Sequence, residues 1–494
     1  MTMDTEAPIS LHGRDKLLNL LEDAVRSAPG VEVELALDAS QVGVTRYAHN
    51  RIHQNVWEAD NKLYVRVIVN GTLATVAANS LEPAHIKATI EQAASVARLA
   101  RGGQAKDGLL QTFASDSQQS GFNVEPGAAG SNVPEQHTDS ISFFESTAYQ
   151  TPGQRATAIG QMVELIKAAG FEGYGTYKNV LTELAVVNSR GLRAYGAATN
   201  GYIKALVERG TGSDTESDGL GSGYADQLGR DVTQLDPIAT ANIAIQKCRL
   251  NVNQIELPPG DYAAVLEPNT VADMVRFVVL SGCGARQLQD GRSFMGGRFG
   301  ESVTGANINL WEDPHHPAAL PFALDYEGLE SRAVPLIIGG RAAGVTYDQQ
   351  TAANTPGRVT TGHAPTPERD WNGPIPTHVV MTGGTRSIQE LVAGMKRGVV
   401  VTRLHYTHCP DPKRVVATGT TRDGTFLVEN GEIVAAVKNM RFTQSVLELL
   451  ASVEEFGASK TCQDWWVAND MGTTSYYLPA LRVARCTFIG STTF

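Results

Sequence analysis

Three groups of residues have types and spacings that could do chemistry. His49 and His53, in HNRIH, share the spacing of the metallopeptidase pattern HExxH, in which two imidazoles on one helical face hold zinc and the Glu acts as general base. Asn50 stands where that Glu should be, and the flanking alternation predicts a strand. Residues four apart on a strand face one way but lie roughly 13 Å apart, so no metal site is expected there. His405, His408 and Cys409, in HYTHC, offer nitrogen and sulfur ligands, with His315, His316 and Cys283 as further candidates. Pro410 and Pro412 predict a turn in this segment, and no second cluster of standard spacing completes four ligands, so hydrogen-bonding or packing roles are expected instead. The third group is the glycine runs GLGSG (219–223) and TGGTRS (382–387). Neither is a GxGxxG fingerprint or a P-loop. The second places backbone N–H groups at a helix start, where a carboxylate or phosphate could be received, although a plain helix-entry turn accounts for it as well. No GxSxG elbow occurs, and no Ser, His and acid set stands out.

The elements that would position these residues read as α+β. Leu17, Leu18, Leu20, Leu21, Ala24 and Val25 recur at helical spacing and Pro29-Gly30 ends the run. Strands follow at 31–37, 41–48, 51–59 and 63–69, with Asn70-Gly71 as a two-residue hairpin turn. A second helix is predicted over 81–101 with Ser80 as its N-cap. Residues 102–140 are rich in Gly, Ser, Gln, Asn and Pro and form a long loop, either a connector or a substrate-covering flap. The pattern then repeats in outline: a helix over 152–169, strands near 174–187, 192–198 and 201–209 around a turn at 188–191, a polar loop over 210–226, and a helix from Asp236-Pro237 to Leu250. Two similar halves are hinted at. Beyond that point the chain becomes Gly-punctuated strands interrupted by one helix, between THVVM (377–381) and GVVVTRL (398–404), with Ser387 and Glu390 as a capping box. The expected division is an N-terminal domain of helices on an antiparallel sheet (1–250) and a β-rich C-terminal domain with few helices (251–494).

Composition narrows the function classes. The 494 residues carry 41 Lys plus Arg and 52 Asp plus Glu, a formal net charge of −11. No clustered basic block exists, which argues against a dedicated nucleic-acid or membrane-surface binder. Gly is frequent, at 49 residues, in keeping with many tight turns between strands. The five cysteines are sparse, odd in number and without CxxC spacing, so a reducing cytoplasm and no disulfide framework are expected. The N-terminal residues lack the features of a signal peptide, and no apolar run approaches the roughly 18 residues of a membrane span.

One stretch is more specific. In VVATGTTRDGTFLVENGEIVAAVKNMRFTQSVLELLASVE (415–454), Thr421-Arg422-Asp423-Gly424 reads as a turn leading into a hairpin, Asn430-Gly431 as the hairpin turn, and Asn439-Met440-Arg441-Phe442 as the following strand. This arrangement resembles the C-terminal signature of the TldD/PmbA family, also called modulators of DNA gyrase. VRVIVNGTLATVA near the N-terminus, the Asn188-Ser189-Arg190-Gly191 turn, SIQELVAGMKRGVVVT and the ending LPALRVARCTFIGS resemble the same family in the same order.

The resemblance implies an N-terminal α+β domain and a β-rich C-terminal domain, assembled as dimers around an enclosed cavity. It also implies that active members are zinc peptidases using an HExxxH helix and a Cys thiolate, the metal lowering the pKa of its water to roughly 7. In this chain the motif should fall within 271–284, where Val275, Arg276, Val279 and Leu280 occur instead, and no His or Glu lies between Asn269 and Glu301. Arg276 would repel zinc. Cys462 lies near the position of the thiolate ligand, but a lone Cys is expected to be a small buried hydrophobe.

This departure points to the PmbA/TldE-like branch, whose members lack the metal motif and pair with a TldD-type HExxxH subunit. The expectation is a cytoplasmic subunit of a zinc-dependent peptidase complex acting on unfolded or short peptides. It would bind no zinc itself, with zinc held in the partner, as a heterodimer or larger or as a homodimer, and would interact with neither nucleic acid nor membrane. Peptides would be held by strand addition to sheet edges. No catalytic residue or metal ligand is assigned. His405, Arg422 and Asp423 are the candidate cavity-lining residues. Two other readings stand beside this one: a self-sufficient hydrolase using His405, His408 and Cys409, and a non-catalytic peptide-binding scaffold.

Overall fold

The computed structural model describes residues 11–100, 113–114, 142–209, 221–463 and 474–491. Its first half is built twice from the same unit. Helix α1 (Arg14–Arg26) buries Leu17, Leu18, Leu21 and Ala24 along one stripe. Strands β1 (Glu32–Ala48), β2 (Arg51–Val69) and β3 (Thr72–Ala78) follow as an antiparallel meander. The four short strands expected over 31–69 are therefore two long ones. Polar residues such as Ser40 and Asp60 stay paired, Cα to Cα, and alternate with the pleat instead of breaking it. The chain reverses at His49-Asn50 (φ 47° and 60°) and at Asn70-Gly71 (φ 50° and 74°), each a pair of positive φ angles as type I′ hairpin turns require. His49 thus sits in the turn between the strands expected over 41–48 and 51–59, and His53 lies on β2. Helix α2 (Pro83–Leu99) closes the unit. Its N-cap position belongs to Glu82, while the expected cap, Ser80, accepts the Glu82 N–H at 3.3 Å and lies 2.9 Å from His85 Nδ1.

The second unit runs through α3 (Glu145–Ala148), α4 (Pro152–Ala168), β4 (Glu172–Asn188), β5 (Arg193–Glu208), β6 (Ser222–Gly229) and α5 (Pro237–Leu250). Helix α4 starts on a capping box between Thr151 and Gln154, and α5 on Asp236, whose carboxylate accepts the Ala239 N–H at 2.9 Å. Strand β6 replaces part of the polar loop expected over 210–226. The strand order β3-β2-β1-β4-β5-β6 places the two meanders on either side of the antiparallel β1–β4 pair, so the two halves hinted at in the sequence form one continuous sheet. Odd-numbered residues such as Leu35, Tyr177, Ile203 and Ala225 face the helical layer. Even-numbered residues form the opposite face, which the C-terminal half meets.

That half contains β7 (Gly260–Leu266), α6 (Pro268–Gly282), α7 (Ala285–Gln289), β8 (Leu310–Glu312), β9 (Val334–Ile338), β10 (Arg341–Ala342), α8 (Gln349–Ala353), β11 (His378–Met381), α9 (Ile388–Ala393), β12 (Arg397–Asp411), β13 (Val416–Glu429), β14 (Glu432–Ala436), β15 (Met440–Ser445), α10 (Val446–Ala451), β16 (Val453–Cys462) and β17 (Ser475–Ser491). The strands form one eleven-stranded sheet. Because β7 pairs with both β12 and β17, the path β17-β15-β13-β12-β7 closes on itself as a ring. More than the one expected helix interrupts these strands. The principal one, α6, buries residues on every side, including Val271, Met274, Val275, Val278 and Val279, which marks it as a core helix.

Two segments read as turns are strand. HYTHC lies inside β12, whose register shifts around His405, His408 and Asp411 absorb the distortion expected of a turn. Thr421-Arg422-Asp423-Gly424 lies inside β13, where Asp423 (φ 55°) and Gly424 (φ 127°) make a bulge opposite Thr402, between the Val401–Thr425 and Arg403–Arg422 pairs. Asn430-Gly431 is the hairpin turn expected, with φ 51° and 83°. The residues read as flap or connector, 102–140, lie outside the described residues except for Phe113 and Ala114, both buried. No described helix is long and apolar enough to cross a membrane.

Candidate functional site

The edge strand β6 abuts β13 and β16, and a cleft of about 50 Å³ opens beside it. The pleat puts Tyr224 and Asp226 on the same side of β6, and register aligns Asp226 with Lys204 and Leu228 with Tyr202 on β5. Across the cleft stand Asn269 and Asp273, four apart on the first turns of α6, and Arg403 of β12. Gln463, just past β16, completes the wall.

Asp226 is the hub. Its side chain is 8 % exposed and forms an ion pair with Lys460 of β16. It accepts hydrogen bonds from Asn269 Nδ2 at 2.9 Å, Tyr224 OH at 3.1 Å and Tyr202 OH at 3.4 Å. Burial pushes its pKa up, but the Lys460 charge and the Asn269 and Tyr224 bonds outweigh that and hold it below the usual carboxylate range. Burial and the neighbouring Asp226 charge raise the pKa of both tyrosines, which therefore stay protonated as donors.

Arg403 lies 4.5 Å from the centre of the Tyr224 ring, a cation–π arrangement, and pairs with Asp423. Asp423 also accepts from Ser222 Oγ at 2.7 Å, which ties β13 to β6. The bulge at Asp423-Gly424 aims this carboxylate. A Cβ on Gly424 would meet the Phe426 ring at 2.8 Å and Thr402 Oγ1 at 2.9 Å.

The three residues expected to line a cavity are distributed around this site. Asp423 is buried and reaches the cleft through Arg403. Arg422, with its side chain 37 % exposed, has Nε 3.9 Å from Asp423 Oδ1. His405 is half-buried against the Tyr406 ring, and burial together with Arg422 and Arg403 lowers its pKa, favouring neutral imidazole. Sequence reading missed Tyr202, Tyr224, Asp226, Asn269, Asp273, Arg403 and Lys460. The available signal was the every-second-residue recurrence of Tyr224 and Asp226, which was obscured by the Gly- and Ser-rich residues around it.

The residues at the position implied for zinc do not fit that metal. On α6, Val275 and Val279 are fully buried and apolar, and Arg276 donates to Thr407 Oγ1 at 3.1 Å with its guanidinium 4.5 Å from the Phe277 ring centre. The Cys462 thiol is pushed by burial up to about 12 and points to the Lys460 carbonyl at 3.6 Å, so no thiolate is poised there. The other candidate ligands are engaged separately. His49 Nδ1 lies 2.8 Å from Glu172, His315 Nε2 lies 3.1 Å from the Ser331 carbonyl, and His316 stacks on Tyr477. Cys283 is buried at the end of α6, His408 is exposed, and Cys409 lies 3.9 Å from Ser281 Oγ. Among the described residues, no group of three His, Cys, Asp or Glu could hold a metal ion. At TGGTRS, Ser387 and Glu390 form the expected capping box, so the Glu390 carboxylate already occupies the helix start.

Known proteins agree with this architecture. Residues 259–490 match the family described as the PmbA/TldA metallopeptidase C-terminal domain. The crystal structure of TldE from Thermococcus kodakarensis superposes with a TM-score of 0.79, covering 96% of this chain and 100% of that one at 20% identity, which shows a shared fold. A protein named metalloprotease from Methanothermobacter thermautotrophicus is 21% identical over 201 residues, 41% of this chain and 44% of that protein. An uncharacterized protein of Methanocaldococcus jannaschii is 27% identical over 131 residues, 26% of this chain and 30% of that protein. The chain thus spans less than half the length of these two curated relatives. The ring of strands, the buried α6 and the bulged β13 all lie within the matched region, so the C-terminal half of the chain, residues 259–490, belongs to the PmbA/TldD family.

Proposed function

We propose that this chain is the TldE/PmbA-like subunit of a zinc-dependent peptidase complex handling unfolded or short peptides, and that a TldD-type HExxxH subunit supplies the metal. The observation that carries the reading is helix α6. It occupies the segment where the family resemblance puts the zinc motif, yet it contains no His or Glu and turns Val275, Arg276 and Val279 into the core. A chain built this way contributes walls and polar contacts to a shared cavity, with β6 and the cleft beside it as the surface that meets peptide. The two-domain division near residue 250 and a cytoplasmic setting belong to the same reading.

The test is co-expression. The purified chain alone should hydrolyse no peptide in a chelator-sensitive way, whereas the chain mixed with a zinc-loaded HExxxH subunit should cleave unfolded peptides, and chelation should abolish that activity. Chelator-sensitive turnover by the lone chain would reject the proposal in favour of a self-sufficient hydrolase, for which His408→Ala would then be the first variant to assay.

A further inference from the structure

Strand register builds a row of cations across the even-numbered face of the six-stranded sheet. Arg46 of β1 stands opposite Thr176 of β4, Thr176 stands opposite Lys204 of β5, and Lys178 of β4 stands opposite Tyr202. A period of two therefore puts Arg46, Lys178 and Lys204 on the face that carries Tyr202, Tyr224 and Asp226. Arg403 continues the row at the mouth of the cleft. The charges are close enough to act on one another. After burial, Arg46 is the next cause lowering the pKa of Lys178, and Arg403 and Lys178 are the next causes lowering that of Lys204.

In a chain of net charge −11, a row of like charges on one sheet face needs a reason. The nearby carboxylates are already engaged: Asp226 by Lys460 and Asn269, Asp423 by Arg403 and Ser222. Both still draw the pKa of Lys204 upward, but burial and the two neighbouring cations prevail. Lys204 is half-buried, and its ammonium makes no hydrogen bond or ion pair among the described residues. Holding a half-buried ammonium beside Arg403 and Lys178 costs stability that Asp226 and Asp423 return only in part. A bound anion would return the rest.

We infer that this row is a carboxylate-binding lane for the peptide, centred on Lys204 and flanked by Arg403 and Lys178. The inference rests on the peptide-handling reading above and adds a substrate class to it. A peptide lying along β6 would set a carboxylate over Lys204, where the ammonium and the neighbouring cations neutralise it in a partly desolvated setting. The carboxylate could come from the chain terminus or from an acidic side chain.

Fluorescence anisotropy with the full-length chain separates these sources. Three labelled peptides of about ten residues share one backbone sequence: one has a free C-terminal carboxylate and no acidic side chains, one is C-terminally amidated with internal glutamates, and one is amidated without acidic groups. At least one carboxylate-bearing peptide should bind about tenfold or more tighter than the neutral one. Preference for the first identifies the chain terminus, and preference for the second the acidic side chain. Lys204→Gln should erase the preference while leaving neutral-peptide binding and the circular dichroism spectrum unchanged, and Lys204→Arg should keep it. Equal binding of all three peptides, or a preference that survives Lys204→Gln, overturns the lane alone. Failure of all three to bind overturns the lane and the peptide reading together.

Discussion

Two polar centres lie on the same face of the six-stranded sheet, and they hold charge in opposite ways. At the cleft, Asp226 faces Lys460 and Asp423 faces Arg403 and Arg422, at least one cation for each of these carboxylates, and Asp226 is held below the usual carboxylate range. Toward the other end of the face, Arg66 of β2 donates to Glu34 at 2.7 Å and to Glu327 at 3.4 Å, with Asp325 close by. Carboxylates are in excess there. Burial raises Glu34 to about 7 against the pull of Arg66, raises Asp325 to about 6 against three backbone N–H bonds, and raises Glu327 well above its ordinary value. The two centres are equally buried in kind, so depth does not distinguish them. The ratio of cations to carboxylates does. The first centre fixes its charge near neutral pH, and the second retains protons there.

The largest effect should come from unbalancing the first centre. Lys460→Met leaves Asp226 buried without its counter-ion and should cost about 3–5 kcal/mol in urea unfolding. Removing both charges with Asp226→Asn and Lys460→Met should recover most of that loss, because an unpaired buried charge costs more than an absent pair. A double variant as unstable as Lys460→Met alone would show that the pair acts through packing and not through charge.

The second centre should respond to pH with the opposite sign. Glu34 is raised in the folded protein, so its contribution to stability is fully present below its unfolded pKa of about 4.5 and is lost as pH rises to about 7. Asp226 is depressed, so its contribution is present above the ordinary carboxylate range and is lost on acidification. Glu34→Gln should therefore be near neutral in effect at pH 5 and stabilising by about 2–3 kcal/mol at pH 8, since Arg66 keeps Glu327 and no carboxylate must ionise at position 34. Thermal unfolding across that range measures it. A variant equally destabilised at both pH values would place Glu34 with the balanced centre instead.

The difference between the centres was not legible in the sequence, although much of the scaffold was. Helices α1, α4 and α5, the turns at Asn70-Gly71 and Asn430-Gly431, and the Ser387–Glu390 capping box follow from local periodicity and local hydrogen bonding. Strand β6 does not. Its Gly- and Ser-rich surroundings read as loop, yet a Cβ on Gly223 would meet the Ala244 carbonyl at 2.1 Å and one on Gly221 the Asn251 carbonyl at 2.1 Å. These glycines serve close packing against α5, a tertiary requirement that local pattern cannot express. Asp423 was singled out within its motif, but as part of a turn, because a bulge and a turn use the same positive-φ residues. Asp226 and Lys460 are 234 residues apart, and Arg66 and Glu327 are 261 apart. Charge ratios set by partners so distant depend on sheet register and on how the two halves dock.

The smallest effects should come from two tyrosines that repeat the comparison at the level of one hydroxyl. Tyr224 donates to Asp226, and Tyr326 donates to Asp38 Oδ2 at 2.6 Å on the side of the sheet face occupied by Arg66. Asp226 keeps Lys460 and Asn269 when Tyr224 becomes Phe, so Tyr224→Phe should cost about 1 kcal/mol, nearly constant between pH 5 and pH 8. Burial already raises the pKa of Asp38, and the Tyr326 bond is the foremost influence pulling it back, ahead of Lys62. Tyr326→Phe should therefore push the Asp38 carboxyl further up. Its cost should be small at acid pH, where Asp38 is protonated in either protein, and should grow to about 1–2 kcal/mol as pH rises and the charge must form without that donor. Denaturant midpoints at several pH values give both slopes. Parallel slopes for the two variants would mean that a single hydroxyl does not sense which centre it serves, whereas divergence only for Tyr326→Phe would carry the contrast between balanced and carboxylate-rich polar centres down to individual donors.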